Sequence, residues 1–233
     1  MLVIIPTPLG NLEDISIRQL KSIYRADLLL AEDTRVARNL IAKLAPYAIS
    51  LDIKLKPDQK IISYFEGNEK KRLNQIFEAL DNNKTVGLIS EAGSPAINDP
   101  GQILIREVIN QNLNIDILPG PSAVTTSLLY HPNKFKQFMF IGFLPKGQDR
   151  VKKTLDKLQE ISKIFKHTSF VAFESPHRII KTLEAIESTE QWNLTLAREL
   201  SKLHQEILQS NTDQSIPAKQ YKGEICLVLS PKS

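Results

Sequence analysis

One cysteine and four histidines are all that a chain of 233 residues offers to disulfides and to soft metals. Cys226 has no second cysteine to pair with, and with so few histidines a zinc site is not expected. No stretch approaches the roughly 20 apolar residues that a membrane helix requires. The amino terminus, MLVIIPTPLGNLED, lacks the basic segment that precedes the apolar core of a secretory signal. The expectation is a protein of the cytoplasm with no membrane partner. Two further absences concern ligands. No G-x-G-x-x-G follows the first apolar run and no G-x-x-x-x-G-K-[ST] occurs anywhere, which disfavours a phosphate cradle for a dinucleotide or a nucleoside triphosphate.

What is present is ordinary globular material, 42% apolar and 24% charged, enough for one large domain or two small ones. The net charge of +4 is unevenly spread. Residues 1–131 sum to −1 and residues 132–233 to +5. Most of the excess lies between Lys134 and Lys166, where Lys134, Lys136, Lys146, Arg150, Lys152, Lys153, Lys157, Lys163 and Lys166 face only Asp149, Asp156 and Glu160. Such a run is either the solvated side of an amphipathic helix or a surface for phosphates.

Along the chain, Leu2 to Ile5 reads as a buried strand closed by Pro6, Pro8 and Gly10, followed by a helix capped by Asp14 or Ser16. The alternation then repeats. Strands are expected at Asp27–Ala31, Ile61–Phe65, Thr85–Ile89 and Ile115–Leu118, and helices at Thr34 to about Leu44, Glu69–Leu80, Gly101–Gln111 and 121–130. Strand and helix alternating in this way predict an α/β fold with a parallel sheet covered on both faces. The polar text HPNKFK marks a boundary, giving domains 1–131 and 132–233. Beyond it, strands Phe138–Phe143, Ser169–Phe173, Leu194–Arg198, His204–Gln209 and Glu224–Leu229 alternate with helices Arg150–Ile164 and Arg178–Ile186. The second domain is expected to be α/β with a mixed sheet.

Open α/β sheets bind ligands beyond the carboxyl ends of their strands. Four segments in the first half fall there: Pro6–Asn11, Glu32–Arg35, Ser90–Pro95 and Pro119–Ala123. Each sets glycine, proline or small polar residues where a backbone can approach a ligand closely. Together they predict a crevice for a ligand without phosphates, held by main-chain groups.

Seven separated segments carry a family resemblance: LVIIPTPLGNLEDIS, LLAEDTR, GLISEAGSPAINDPG, ILPGPSAVTTSLL, FIGFLPK, FVAFESPHRI and LARELSKLHQE. In order and spacing they resemble the small-subunit (16S) ribosomal RNA (cytidine-2′-O)-methyltransferases of the tetrapyrrole methylase superfamily. The resemblance implies a bilobal enzyme, a parallel-sheet first domain and a mixed-sheet second, with S-adenosyl-L-methionine in a cleft between them. It also implies a homodimer and, as target, a cytidine ribose of ribosomal RNA in the small ribosomal subunit. Carried over by motif, Pro8, Gly10, Glu91, Ala92, Gly93, Ser94, Pro95, Ser122 and Ala123 would line the cofactor site, with Leu200 as the second domain's contribution. The sequence departs from the pattern in ending at Ser233 without the family's usual helical extension, and in having Glu91 and Ser94 where aspartate and threonine are common. Two other functions remain open beside the leading one: methylation of a tetrapyrrole or other small molecule, and a non-catalytic RNA- or cofactor-binding paralogue.

Methylating a ribose hydroxyl needs a group that takes its proton or stabilises the alkoxide. The candidates are Asp33 and Arg35 in EDTR, Glu174 and His177 in ESPHR, and Arg198, Glu199 and Lys202 in ARELSK. Each has a plainer reading. Asp33 is placed to cap a helix. Arg35 opposes the helix dipole in a first turn, which calls for a ligand or a carboxylate partner. Glu174 stands where Ser175-Pro176 starts a helix, and Arg198, Glu199 and Lys202 form a surface ion-pair set unless the family motif applies. Cys226 reads as a core thiol. Phe138, Phe140 and Phe143, beside the basic run, read as core residues, with base stacking as the alternative.

Overall fold

Four consecutive apolar residues, Leu2–Ile5, form strand β1 and are buried on both sides. Alternation sorts them. Val3 and Ile5 point into one apolar cluster, Leu2 and Ile4 into another, as the two-residue period of a strand requires. The computed structural model describes residues 1–210, 215–217 and 219–232. The chain divides into two units, Met1–Ser122 and the residues from Ala123 onwards.

In the first unit, β2 (Leu28–Ala31), β3 (Lys60–Ser63), β4 (Val86–Ile89) and β5 (Ile115–Ile117) join β1 in a sheet of order β3-β2-β4-β1-β5. Every pairing is parallel. Helices α1 (Ile17–Arg25) and α2 (Thr34–Ser50) bury Leu20, Ile23, Ile41 and Leu44 against one face. Helices α3 (Glu69–Asp81) and α4 (Gln102–Asn110) bury Ile76, Leu80, Leu104 and Val108 against the other. Ser16 closes a capping box with Gln19 at the start of α1, and Asp33 caps α2.

The expected end of α2 near Leu44 is too early. The helix continues to Ser50 through Pro46, which has no N–H for the carbonyl one turn back, a defect of about 3 kcal/mol in a helix interior. Burial of Leu44 and Ala48, with the Ile53 amide donating to the Ala48 carbonyl at 2.8 Å, holds the last turns.

The second unit starts earlier than HPNKFK suggests. Helix α5 (Ala123–Leu129) packs on strands β7 (Thr168–Glu174) and β10 (Ile225–Pro231), so it belongs to the second unit. With β6 (Gln137–Phe143), β8 (Trp192–Arg198) and β9 (Glu206–Ser210), these strands form a sheet of order β6-β7-β10-β8-β9. It is mixed: β6 and β7 run parallel, and the other pairings are antiparallel. The last strand, β10, is central, and Ile225 to Ser230 are all buried. Helices α6 (Gln148–Ile164) and α7 (Ile179–Glu187) cover one face through Val151, Leu155, Leu158, Ile179 and Leu183.

Candidate functional site

The order of the first sheet creates the site. The chain leaves β1 and β2 towards the face covered by α1 and α2, but leaves β4, which lies between them, towards the opposite face. Loops therefore diverge on both sides of β4, and such switch points are where open α/β sheets hold ligands.

Three of the four expected loops meet at Gly93. The Thr7 amide donates to the Gly93 carbonyl at 2.8 Å and the Gly93 amide to the Thr7 carbonyl at 3.0 Å. Thr7 Oγ1 donates to the Ser90 carbonyl, and Ser90 Oγ to the Gly93 carbonyl at 2.7 Å. Gly93 has φ +79°, and a Cβ there would stand 3.2 Å from Leu9 Cδ2 and 3.7 Å from the Pro121 carbonyl. Glycine is the residue that this conformation and this crowding both admit. Thr7 and Ser90 escaped sequence reasoning, since a buried hydroxyl that ties one loop to another has no local signature; both are buried.

Pro8, Gly93 and Pro95 are buried, Ala92, Ser94 and Ser122 half-buried, and Gly10 and Glu91 exposed. The segments 6–11, 90–95 and 118–123 contain no lysine or arginine, and Glu91 is their one charged residue. A donor set of this kind suits a ligand recognised by main-chain groups. It also suits a sulfonium cation, which a carboxylate favours, better than a polyphosphate.

On the other side of β4 is a shallow, water-sized pocket lined by Ala31, Glu32, Asp33, Ser90 and Glu91 among others. The Asp33 carboxylate caps α2, accepting from the Arg35 amide at 2.7 Å, and also accepts from the Arg35 guanidinium at 2.6 Å. That side-chain hydrogen bond, followed by the amide, lowers the Asp33 pKa to about 2. Arg35 thus has its carboxylate partner two residues away. Asp33 is charged throughout the neutral range and is a weak proton acceptor.

The remaining candidates belong to the second unit. Ala123 opens α5. Arg198, at the end of β8, donates to Glu206 Oε2 at 3.0 Å and to the Lys222 carbonyl at 3.0 Å. The next turn is strained, with Glu199 at φ +51° and Ser201 at φ +63° on either side of buried Leu200. Left-handed non-glycine residues cost about 1–3 kcal/mol and gather at functional sites. Glu199 Oε1 accepts from Lys202 Nζ at 2.9 Å and from the Glu224 amide at 3.0 Å, while Lys202 also reaches Glu224 Oε2 at 2.8 Å. Burial opposes charge on Glu199, yet these donors hold its carboxyl below the usual range. Burial likewise opposes charge on Lys202, yet the two carboxylates hold its ammonium above the usual range. Both residues are therefore ionised and mutually restrained.

Glu174 and His177 do not form a base pair. Glu174 is fully buried, accepts from the Ser175 amide and from Thr182 Oγ1, both at 2.6 Å, and pairs with Arg178. Arg178 also donates to the Leu144 carbonyl at 3.2 Å. This clamp fastens the start of α7 to β7, and His177 is exposed beside it.

The fold has counterparts among known proteins. Residues 1–215 match the family described as Tetrapyrrole (Corrin/Porphyrin) Methylases. The methyltransferase CobJ has the same fold at a TM-score of 0.67 and 13% identity, with 99% of this chain and 93% of that one aligned. So has uroporphyrin-III C-methyl transferase from Thermus thermophilus complexed with S-adenyl homocysteine, at a TM-score of 0.61 and 10% identity over 98% and 96% of the two chains. In sequence the chain is 39% identical over 235 residues to the Ribosomal RNA small subunit methyltransferase I of Thermotoga maritima, spanning 99% of this chain and 98% of that relative. The chain belongs to the tetrapyrrole methylase family and, within it, to the small-subunit ribosomal RNA methyltransferases I.

Proposed function

We propose that the protein is an S-adenosyl-L-methionine-dependent methyltransferase that modifies the 2′-hydroxyl of a cytidine ribose in small-subunit ribosomal RNA. The observation that carries this reading is the full-length match at 39% identity, with the phosphate-averse loops around Gly93 as its physical support. S-adenosyl-L-methionine supplies an electrophilic methyl group. The rest falls to the chain, which must hold acceptor and donor in line and exclude water, a contribution on the order of 7–11 kcal/mol.

For the cofactor, the proposal assigns Pro8, Gly10, Glu91 to Pro95, Ser122, Ala123 and Leu200. For the acceptor it assigns Asp33, Arg35, Arg198, Glu199 and Lys202. Ionisation suggests how the second group acts. Asp33 at about 2 is too weak a base to take a ribose proton efficiently, and Lys202 keeps its proton. A fixed cation, Lys202 held between Glu199 and Glu224, would instead stabilise charge developing on the ribose oxygen, as preorganised donors do in other enzymes. The strained turn around Leu200, tied by Glu199 and Lys202, keeps that cation in place.

The basic run on α6 is proposed to meet RNA phosphates. A homodimer and a cytoplasmic location, where ribosomes are, complete the reading. No helix among the described residues is long and apolar enough to cross a membrane. With labelled methyl donor and undermethylated small subunits, the protein should label a cytidine ribose, and Lys202→Met should lower kcat more than it raises the KM for the donor. Saturating donor with no label in RNA would refute the assignment. Sedimentation at micromolar concentration tests the dimer.

A further inference from the structure

We propose that the exposed face of β6 is a stacking platform for unpaired bases of the RNA. This rests on the ribosomal RNA reading above and adds to it where the bases are held. In QFMFIGF an unbroken strand would turn Phe138 and Phe140 to one face and Met139, Ile141 and Phe143 to the other. The structure breaks that pattern. The register with β7 shifts between Phe140 and Phe143, and Gly142 has φ +69°. A bulge inserts one residue and re-aims the side chain that follows. Phe143 consequently pairs with Phe173 and returns to the side of Phe140. Both rings meet Phe173 edge-on, with centroids 4.9 and 5.6 Å away. Ile141 points the other way, into the core beneath α6 and α7.

Three phenyl rings thus line one side of an edge strand. They do not lie in the core: Phe138 is 45% and Phe143 is 55% exposed, and Phe140 is half-buried. On this face α5 lies over β7 and β10. Apolar rings left in water side by side mark a surface with a partner.

Charge identifies the partner. Exposed Lys134 and Lys136 precede the strand, exposed Lys146 follows it, and no acidic residue occurs from 132 to 148. Rings in a row with cations at both ends are what single-stranded RNA requires, the rings for bases and the lysines for phosphates. A second copy docked with this patch on the twofold axis would set lysines against lysines, with no carboxylate of the segment between them.

The test uses the full chain with Phe138→Leu, Phe143→Leu, the double variant and Phe138→Trp. Leucine preserves apolar area and removes the π face, whereas tryptophan keeps one. Binding is measured to a labelled single-stranded, cytidine-rich oligoribonucleotide and to undermethylated small subunits, with donor affinity and sedimentation in parallel. Each leucine should weaken oligonucleotide binding by about 5- to 150-fold. Tryptophan should keep it, and donor affinity and sedimentation should not change. Leucine variants that bind RNA as tightly as the unaltered protein would overturn the platform, as would a loss of RNA binding that follows dissociation of a dimer. If the unaltered protein still methylates the small subunit in either case, the enzymatic reading survives. If the unaltered protein neither binds nor methylates RNA, both fall.

Discussion

His131 lies between two hydroxyls, its Nδ1 at 2.8 Å from Thr195 Oγ1 and its Nε2 at 2.9 Å from Ser230 Oγ. Burial pushes its pKa from 6.5 down to about 4. The folded-state value is the lower one, so between those values the unfolded chain binds a proton that the native protein does not. Stability from this residue is therefore full above about pH 6.5 and is lost as pH falls towards 4, by about 3 kcal/mol in all. Urea unfolding near pH 7 and near pH 5 measures the difference, and His131→Gln should flatten it. Equal pH dependence in both proteins would show that the ring is protonated without penalty. Legibility at this scale followed distance along the chain. The Asp33 cap was readable because its partner is two residues away. The role of His131 was not, because its partners are 64 and 99 residues away, and the buried role of Glu174 was hidden for a similar reason, Thr182 and Leu144 being brought to it and to Arg178 by folding.

Elements were legible where a single period ran through them. Strand β1, with four apolar residues, and α1, with its Ser16–Gln19 capping box, satisfy purely local rules. The sequence was misleading where packing overruled those rules. Pro46 sits inside α2 because the core holds the turns on both sides of it. In β6, Gly142 lies inside the strand that the sequence predicts, and it makes a bulge there. Gly142 at φ +69° leads to a direct expectation: alanine pays about 1–2 kcal/mol in that conformation, so Gly142→Ala should lower the urea midpoint accordingly while far-ultraviolet dichroism stays native. Asparagine, which tolerates the left-handed region, should cost less. If alanine costs nothing, the bulge is not held by this backbone conformation.

Across the molecule, charge is partitioned between a near-neutral amino-terminal part and a basic carboxyl-terminal part, −1 and +5 about residue 131. Lys152, Lys153 and Lys157 are exposed on α6, while Val151, Leu155 and Leu158 of the same helix are buried. The helix is thus amphipathic whatever its lysines do. Function shows in the salt dependence. Replacing these three lysines by glutamine should weaken RNA binding about equally for all sequences, and should reduce the slope of log affinity against log salt by about 1 for each phosphate left without its lysine. An unchanged slope would leave them as a solvated face.

Alternation of strands and helices, four loops of small residues and seven spaced motifs were enough to name the fold and the family, because each is written in residues adjacent in the chain. The sequence also placed Pro8, Gly93 and Ser122 in loops at strand ends. Only the folded chain decided that Gly93 is where the loops after β1 and β4 join, that Lys202 is held between Glu199 and Glu224, and that a bulge turns Phe143 outward beside Phe140. These depend on strand order and register, which set distant residues side by side through hydrogen bonds and packing that no local period encodes.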